Sequence, residues 1–172
     1  DHAAYAVSRI MGSECFALMC IDERDLILEA IETYATRIKE HVKDVLSTGI
    51  KPIFGWVGPE LCIPPLVREN EFEEFVFNID KPLCDLIHDA GGYVWVHCHG
   101  RVGKLLKRFM EMGVDVLNPI EPPPLGDITL KEAIEIVGNG MGLEGNIEIS
   151  SILLSNEDEL KNIIYNTVIE SR

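Results

Sequence analysis

Short apolar runs alternate along this chain with longer stretches of helical periodicity, and glycine or proline bounds each run. The runs are residues 51–58, 93–96, 115–120 and 141–145. They are too short for helices and rich in the Val, Ile, Trp and Tyr that favour strands. Between and around them, residues 24–47, 71–90, 102–112, 130–137 and 157–170 carry apolar side chains three and four apart. Strand, helix, strand, helix in regular order predicts an α/β fold, with a parallel sheet covered by helices.

The individual segments support this reading. Residues 24–47 place apolar side chains at 27, 28, 31, 34, 35, 38, 42, 45 and 46, with Gly49 positioned to stop the helix. Gly91-Gly92 closes the next helix, and Pro82 within it predicts a kink or break near Asp80. Residues 16–21 fit a strand by content and a helix by continuity with Tyr5, so the strand count is four or five.

At 172 residues, 47% of them apolar, the chain is long enough for one core and too short for two ordinary domains, so residues 1–172 are read as a single domain. Its five cysteines include no CxxC pair and leave an odd thiol, which predicts free thiols in a reducing cytoplasm. No apolar run approaches the roughly 18 residues of a membrane span, and no membrane partner is expected. A net charge of −14 repels polyanions, so no nucleic-acid partner is expected either. Arg101, Lys104, Lys107 and Arg108 form the most basic stretch and read as a solvated helix face.

The strands run at their C-terminal ends into His97-Cys98-His99-Gly100, Glu121-Pro122-Pro123-Pro124 and Asn146-Ile147-Glu148. In a barrel these ends share one rim, where barrel enzymes place their sites. His97 and His99, two apart, face the same side of an extended chain, and Glu121 at the next strand end offers a third metal-ligand type. The same residues suit two other roles: imidazoles hydrogen-bonded to carboxylates, or imidazolium groups receiving an anion. Cys98 points the opposite way and reads as packing. Trp56 and Glu60 end the earlier strand and are candidate pocket residues, with core packing the alternative for Trp56. Arg101 lies near the rim as a candidate substrate contact. Asn146 suits either a ligand contact or a turn. Asp127 is expected to cap the helix beginning near Thr129, while His2, His41 and His88 are expected on the surface or on helices.

The stretches YVWVHCHG (93–100), GVDVLNPIE (113–121) and LEGNI (143–147) resemble the uroporphyrinogen decarboxylase family, which includes zinc-dependent methyltransferases that work with corrinoid proteins. Gly58-Pro59-Glu60, Met11-Gly12-Ser13-Glu14 and residues 22–28 extend the resemblance over nearly the whole chain, with less specificity. The resemblance implies a (β/α)₈ (TIM) barrel roughly twice this length, of which the chain holds about four or five consecutive units. It implies that the first strands and the last one are lacking. Open sheet edges and an uncovered inner face then predict self-association.

In the zinc members of that wider group the pattern is His-x-Cys followed by a glutamate about one β/α unit later. Here His99 stands where the cysteine would be, and Glu121 stands at the glutamate's place. Imidazole remains a competent zinc ligand, though a harder one than thiolate. The favoured expectation is therefore an enzyme of metal-assisted methyl transfer, with zinc on His97, His99 and Glu121, a small-molecule substrate and a corrinoid protein as partner. The alternative is metal-free decarboxylation of a porphyrinogen, which calls for a basic pocket. A third reading is a non-catalytic binding or assembly module.

Overall fold

The computed structural model describes residues 1–171, apart from the side chains of residues 69 and 70. Three helices open the chain: α1 (Ala3–Met11), α2 (Ser13–Asp22) and α3 (Arg24–Leu46). Residues 16–21 thus lie in a helix, and the sheet has four strands. These are β1 (Ile53–Val57), β2 (Tyr93–His97), β3 (Val116–Asn118) and β4 (Gly142–Leu143). β1, β3 and β4 are shorter than the apolar runs that mark them, while β2 extends one residue past its run, to His97.

Helices fill the intervals. A 3₁₀ turn (Pro59–Cys62) follows β1, and then α4 (Glu69–Phe72), a π turn (Glu73–Phe77) and α5 (Asn78–Asp89). A 3₁₀ turn (Gly103–Leu105) and α6 (Leu106–Met112) follow β2, α7 (Leu130–Val137) follows β3, and α8 (Ile149–Leu154) and α9 (Glu157–Glu170) follow β4. The kink or break expected near Asp80 takes the form of a π turn that ends just before it, where the Asn78 N–H reaches back to Glu73 O, and α5 then runs through Pro82. Two arginines from neighbouring helices clamp that turn. Arg24 binds Glu71 and Glu74, while Arg108 binds Glu73 through two bonds of 2.7 and 2.5 Å and lies 3.8 Å above the Phe77 ring. Arg108 therefore turns inward to the fold and leaves the basic helix face.

All strand pairs are parallel, in the order β1-β2-β3-β4. Alternate residues divide sharply between the two faces. Val94, Val96, Cys98, Leu117 and Ile120 are buried against the helix layer, where Phe72 meets Phe109 edge to face at 5.0 Å. On the opposite face Ile53 is 71% exposed and Tyr93 58% exposed. A doubly wound parallel sheet has helices on both faces. A sheet with helices on one side and large side chains on the other is an arc of a (β/α)₈ barrel, here four consecutive units, with the bare face as the barrel interior. Among the described residues no single helix is long and apolar enough to cross a membrane. All five cysteines are free thiols.

Candidate functional site

The barrel-facing residues of β2 and its extension are Tyr93, Trp95, His97 and His99, and each of the last three bonds a side chain on or just after β3 or β4. His97 and Asn118 are register partners across β2 and β3. Parallel partners project from the same face, and His97 Nδ1 lies 2.6 Å from Asn118 Oδ1. An amide oxygen only accepts, so Nδ1 carries the hydrogen and Nε2 keeps its lone pair. One step further on, His99 Nδ1 lies 2.9 Å from Glu121 Oε1, which selects the same tautomer. The two rings stand edge to face, with centroids 4.5 Å apart. Below them the Trp95 indole stacks on His97 at 5.8 Å and 23°, and its Nε1 donates to Glu144 Oε2 at 2.6 Å.

Glu121 is held by its setting as well as by His99. Its Oε2 accepts the Gly100 N–H at 2.8 Å. Its loop returns through Gly126, whose N–H bonds Pro122 O at 3.1 Å. Asp127 does not cap the following helix. It accepts the Gly103 N–H at 2.9 Å and so ties the two rim loops, while Thr129 caps α7 in a capping box with Glu132. The short side chain of Thr129 sits at the position whose oxygen reaches the third helical N–H, and Asp127 is two residues too early.

A cavity of about 500 Å³ lies over these residues, lined by His97, His99, Asn118 and Glu121, and beyond them by Asn146 and Glu148. Among the described residues its lining contains no lysine or arginine. Asn146 is held at φ 100° immediately after Gly145, its amide 3.5 Å from Ile120 O and 3.4 Å from Thr167 Oγ1, so it serves the turn and faces the cavity at once.

Three sequence candidates fall outside the lining. Trp56 is buried on the helix side of β1, and its Nε1 donates to Asp80 Oδ2 at 3.0 Å. An even-numbered residue of this strand faces the helices. Glu60 sits half-buried on the 3₁₀ turn after β1, with Oε2 buried and unpartnered among the described residues. Arg101 is exposed.

His2 departs from expectation, while His88 lies exposed on α5, as expected. His2 is buried, with Nδ1 accepting the Ala4 N–H and Nε2 3.4 Å from Asp80 Oδ2. His88 bonds Asp115 at 2.8 Å. Cys98 packs as expected: burial, with the nearby Glu60 charge adding to it, pushes its thiol well above the ordinary range. A protonated, buried thiol is inert.

Asn118, Trp95 and Glu144 are the site residues that the sequence did not single out. A signal was available for Asn118 and Trp95: once His97 is placed on the inner face, period two puts Trp95 there, and alignment of the strands puts Asn118 beside His97.

The arrangement fits one half of a metal centre. A ligating histidine ordinarily uses one ring nitrogen and bonds the other to a carboxylate or amide oxygen, and His97 and His99 both have that second bond in place. Glu121 accepts from His99 and Gly100, one oxygen to each, and so stands in position to orient the His99 ring. Among the described residues no group of three His, Cys, Asp or Glu side chains is gathered as a ligand set.

Comparison with known proteins agrees with the fold. A solved methyltransferase from Methanosarcina mazei matches with a TM-score of 0.77 at 16% sequence identity, over 99% of this chain and 48% of its own. At that identity the likeness concerns the fold, and the chain spans about half the length of that protein. No curated protein sequence matches. The model of the family described as uroporphyrinogen decarboxylase (URO-D) matches residues 3–170. With nearly every residue inside that match, the chain belongs to the uroporphyrinogen decarboxylase family.

Proposed function

We propose that these four units carry the metal-binding half of a barrel enzyme that transfers a methyl group between a corrinoid and a thiol. The observation that carries the reading is the pair His97 and His99, each with Nδ1 held by an oxygen acceptor and Nε2 left out of that bond at a shared cavity. In this reading both Nε2 atoms ligate zinc, Asn118 and Glu121 orient the rings, and a further ligand comes from elements other than these four units. Zinc bound there would lower the pKa of a substrate thiol and so supply a thiolate at neutral pH. In the transfer, the thiolate's electron pair forms the S–C bond while the pair of the broken Co–C bond stays on cobalt. The methyltransferase with the same fold is consistent with this reading.

Decarboxylation of a porphyrinogen is the second reading, and family membership keeps it in view. Such a substrate carries many carboxylates and calls for cationic side chains, whereas the lining described here offers Glu121 and Glu148 with no lysine or arginine. Incubating the protein with a methylated corrinoid and a panel of thiols separates the two readings. Methyl transfer is seen as loss of the methyl-cobalt absorbance, and its absence together with release of CO₂ from uroporphyrinogen would overturn the first.

A further inference from the structure

The indole of Trp95 lies on the barrel-interior face next to His97, over a glycine of the adjacent strand. In strand register its row reads Gly55 on β1, Trp95 on β2, Val116 on β3 and Gly142 on β4. Glycines stand at both ends. A Cβ on Gly55 would come within 3.1 Å of Trp95 Cε3, closer than a ring tolerates without moving. Gly55 shows no left-handed φ, so its lack of a side chain answers to the indole and not to the backbone. At the far end the indole reaches past β3 to Glu144, with Nε1 and Oε2 2.6 Å apart. The ring is thus held by β1 on one flank and by Glu144 on the other, and it stacks on His97 with the planes 23° apart.

We infer that Trp95 is a positioning residue for the site: a floor plate, seated on Gly55 and tethered by Glu144, that sets the plane of the His97 ring. The hydrogen bond to Asn118 fixes one edge of that imidazole and leaves rotation about the bond open. A stacked ring underneath removes that freedom, and a metal ligand held in one orientation loses less entropy on binding. The functional consequence for zinc rests on the metal reading above. The mechanical claim, that Trp95 sets the His97 ring, does not.

Two measurements on the protein labelled at its histidines test the inference separately from the metal reading. Stacking shields ring protons, so the side-chain resonances of His97 lie upfield of those of the exposed His41. Trp95→Leu moves them downfield and weakens zinc binding about 10-fold, the lower end of what outer-shell partners contribute. Trp95→Phe, which keeps an aromatic plate without the tether, restores most of the shielding and most of the affinity. Gly55→Ala removes no atom from the site yet displaces the indole, and it moves the His97 resonances in the same direction as Trp95→Leu. That variant also decides the matter where Trp95→Leu fails to fold. A folded Trp95→Leu or Gly55→Ala protein with unshifted His97 resonances overturns the inference. If the unmodified protein binds no zinc, the metal reading falls, and the resonances alone decide the role of Trp95.

Discussion

His97 Nδ1 and Asn118 Oδ1 lie 2.6 Å apart as register partners on adjacent parallel strands, so the pairing of the sheet itself selects the imidazole tautomer. Asn118→Ala removes the acceptor and lets the other tautomer form. The expected outcome is a fall in zinc affinity of about 10- to 100-fold, measured by chelator competition. Asn118→Asp, which keeps an acceptor in place, recovers most of it.

Glu121 serves the fold as well as His99, because its Oε2 accepts the Gly100 N–H at 2.8 Å. Glu121→Ala leaves that N–H without its partner and is expected to cost roughly 1–2 kcal/mol in urea denaturation. Glu121→Gln retains an acceptor and is expected to cost less than half as much.

Gly126 faces the Glu121 carbonyl so closely that a Cβ would stand 1.9 Å from the oxygen. Gly126→Ala must push the proline-rich loop away from the rim, and a strain of about 1–3 kcal/mol is expected in the same denaturation experiment. Because the loop carries Glu121, the variant is also expected to bind zinc more weakly than the unmodified protein, although it deletes no atom of the site.

Stability should depend on pH through the buried pair His2 and Asp80. Burial pushes the Asp80 carboxyl up from 3.8 to about 8 and the His2 imidazole down from 6.5 to about 3. Folded Asp80 holds a proton that the unfolded chain releases above about pH 4, so its contribution is lost as pH rises towards 8. His2 acts with the opposite sign, since the unfolded chain binds the extra proton between pH 3 and 6.5 and stability rises with pH across that window. Above pH 6.5 only the Asp80 contribution changes. Denaturation midpoints should therefore fall between pH 6.5 and 8, and Asp80→Asn, which can still accept the Trp56 N–H, should flatten that slope.

Much of the architecture was legible because apolar periodicity and glycine stops report directly on which face of an element is buried. Residues 24–47 and the strand-end motifs fell where the spacing put them. The uncertain segment, residues 16–21, is uniformly apolar and reports no period, and only packing against α1 and α3 makes it a helix. Pro82 signals an irregularity near Asp80, and the form it takes, a π turn over Glu73–Phe77, has no signature of its own in the sequence. At the site, the sequence brings His97, His99 and Glu121 to one rim, and the structure brings them into contact. Neither the two oxygens that Glu121 spends on His99 and Gly100 nor the tie from Trp95 to Glu144 has a local signature, because each spans more than twenty residues and depends on strand register. Position at a strand end leaves Trp56 open to pocket or core, and parity along β1 and β2 decides it: Trp56 faces the core and Trp95 the barrel interior.

The proposal stands most directly on the metal content of the protein purified without chelator and of its His97→Ala and His99→Ala variants. About one zinc per site in the protein that joins these four units to the element carrying the further ligand, lost in both variants while they remain folded, is the expected result. Zinc retained unchanged in the variants, or full methyl transfer by metal-free protein, would contradict it.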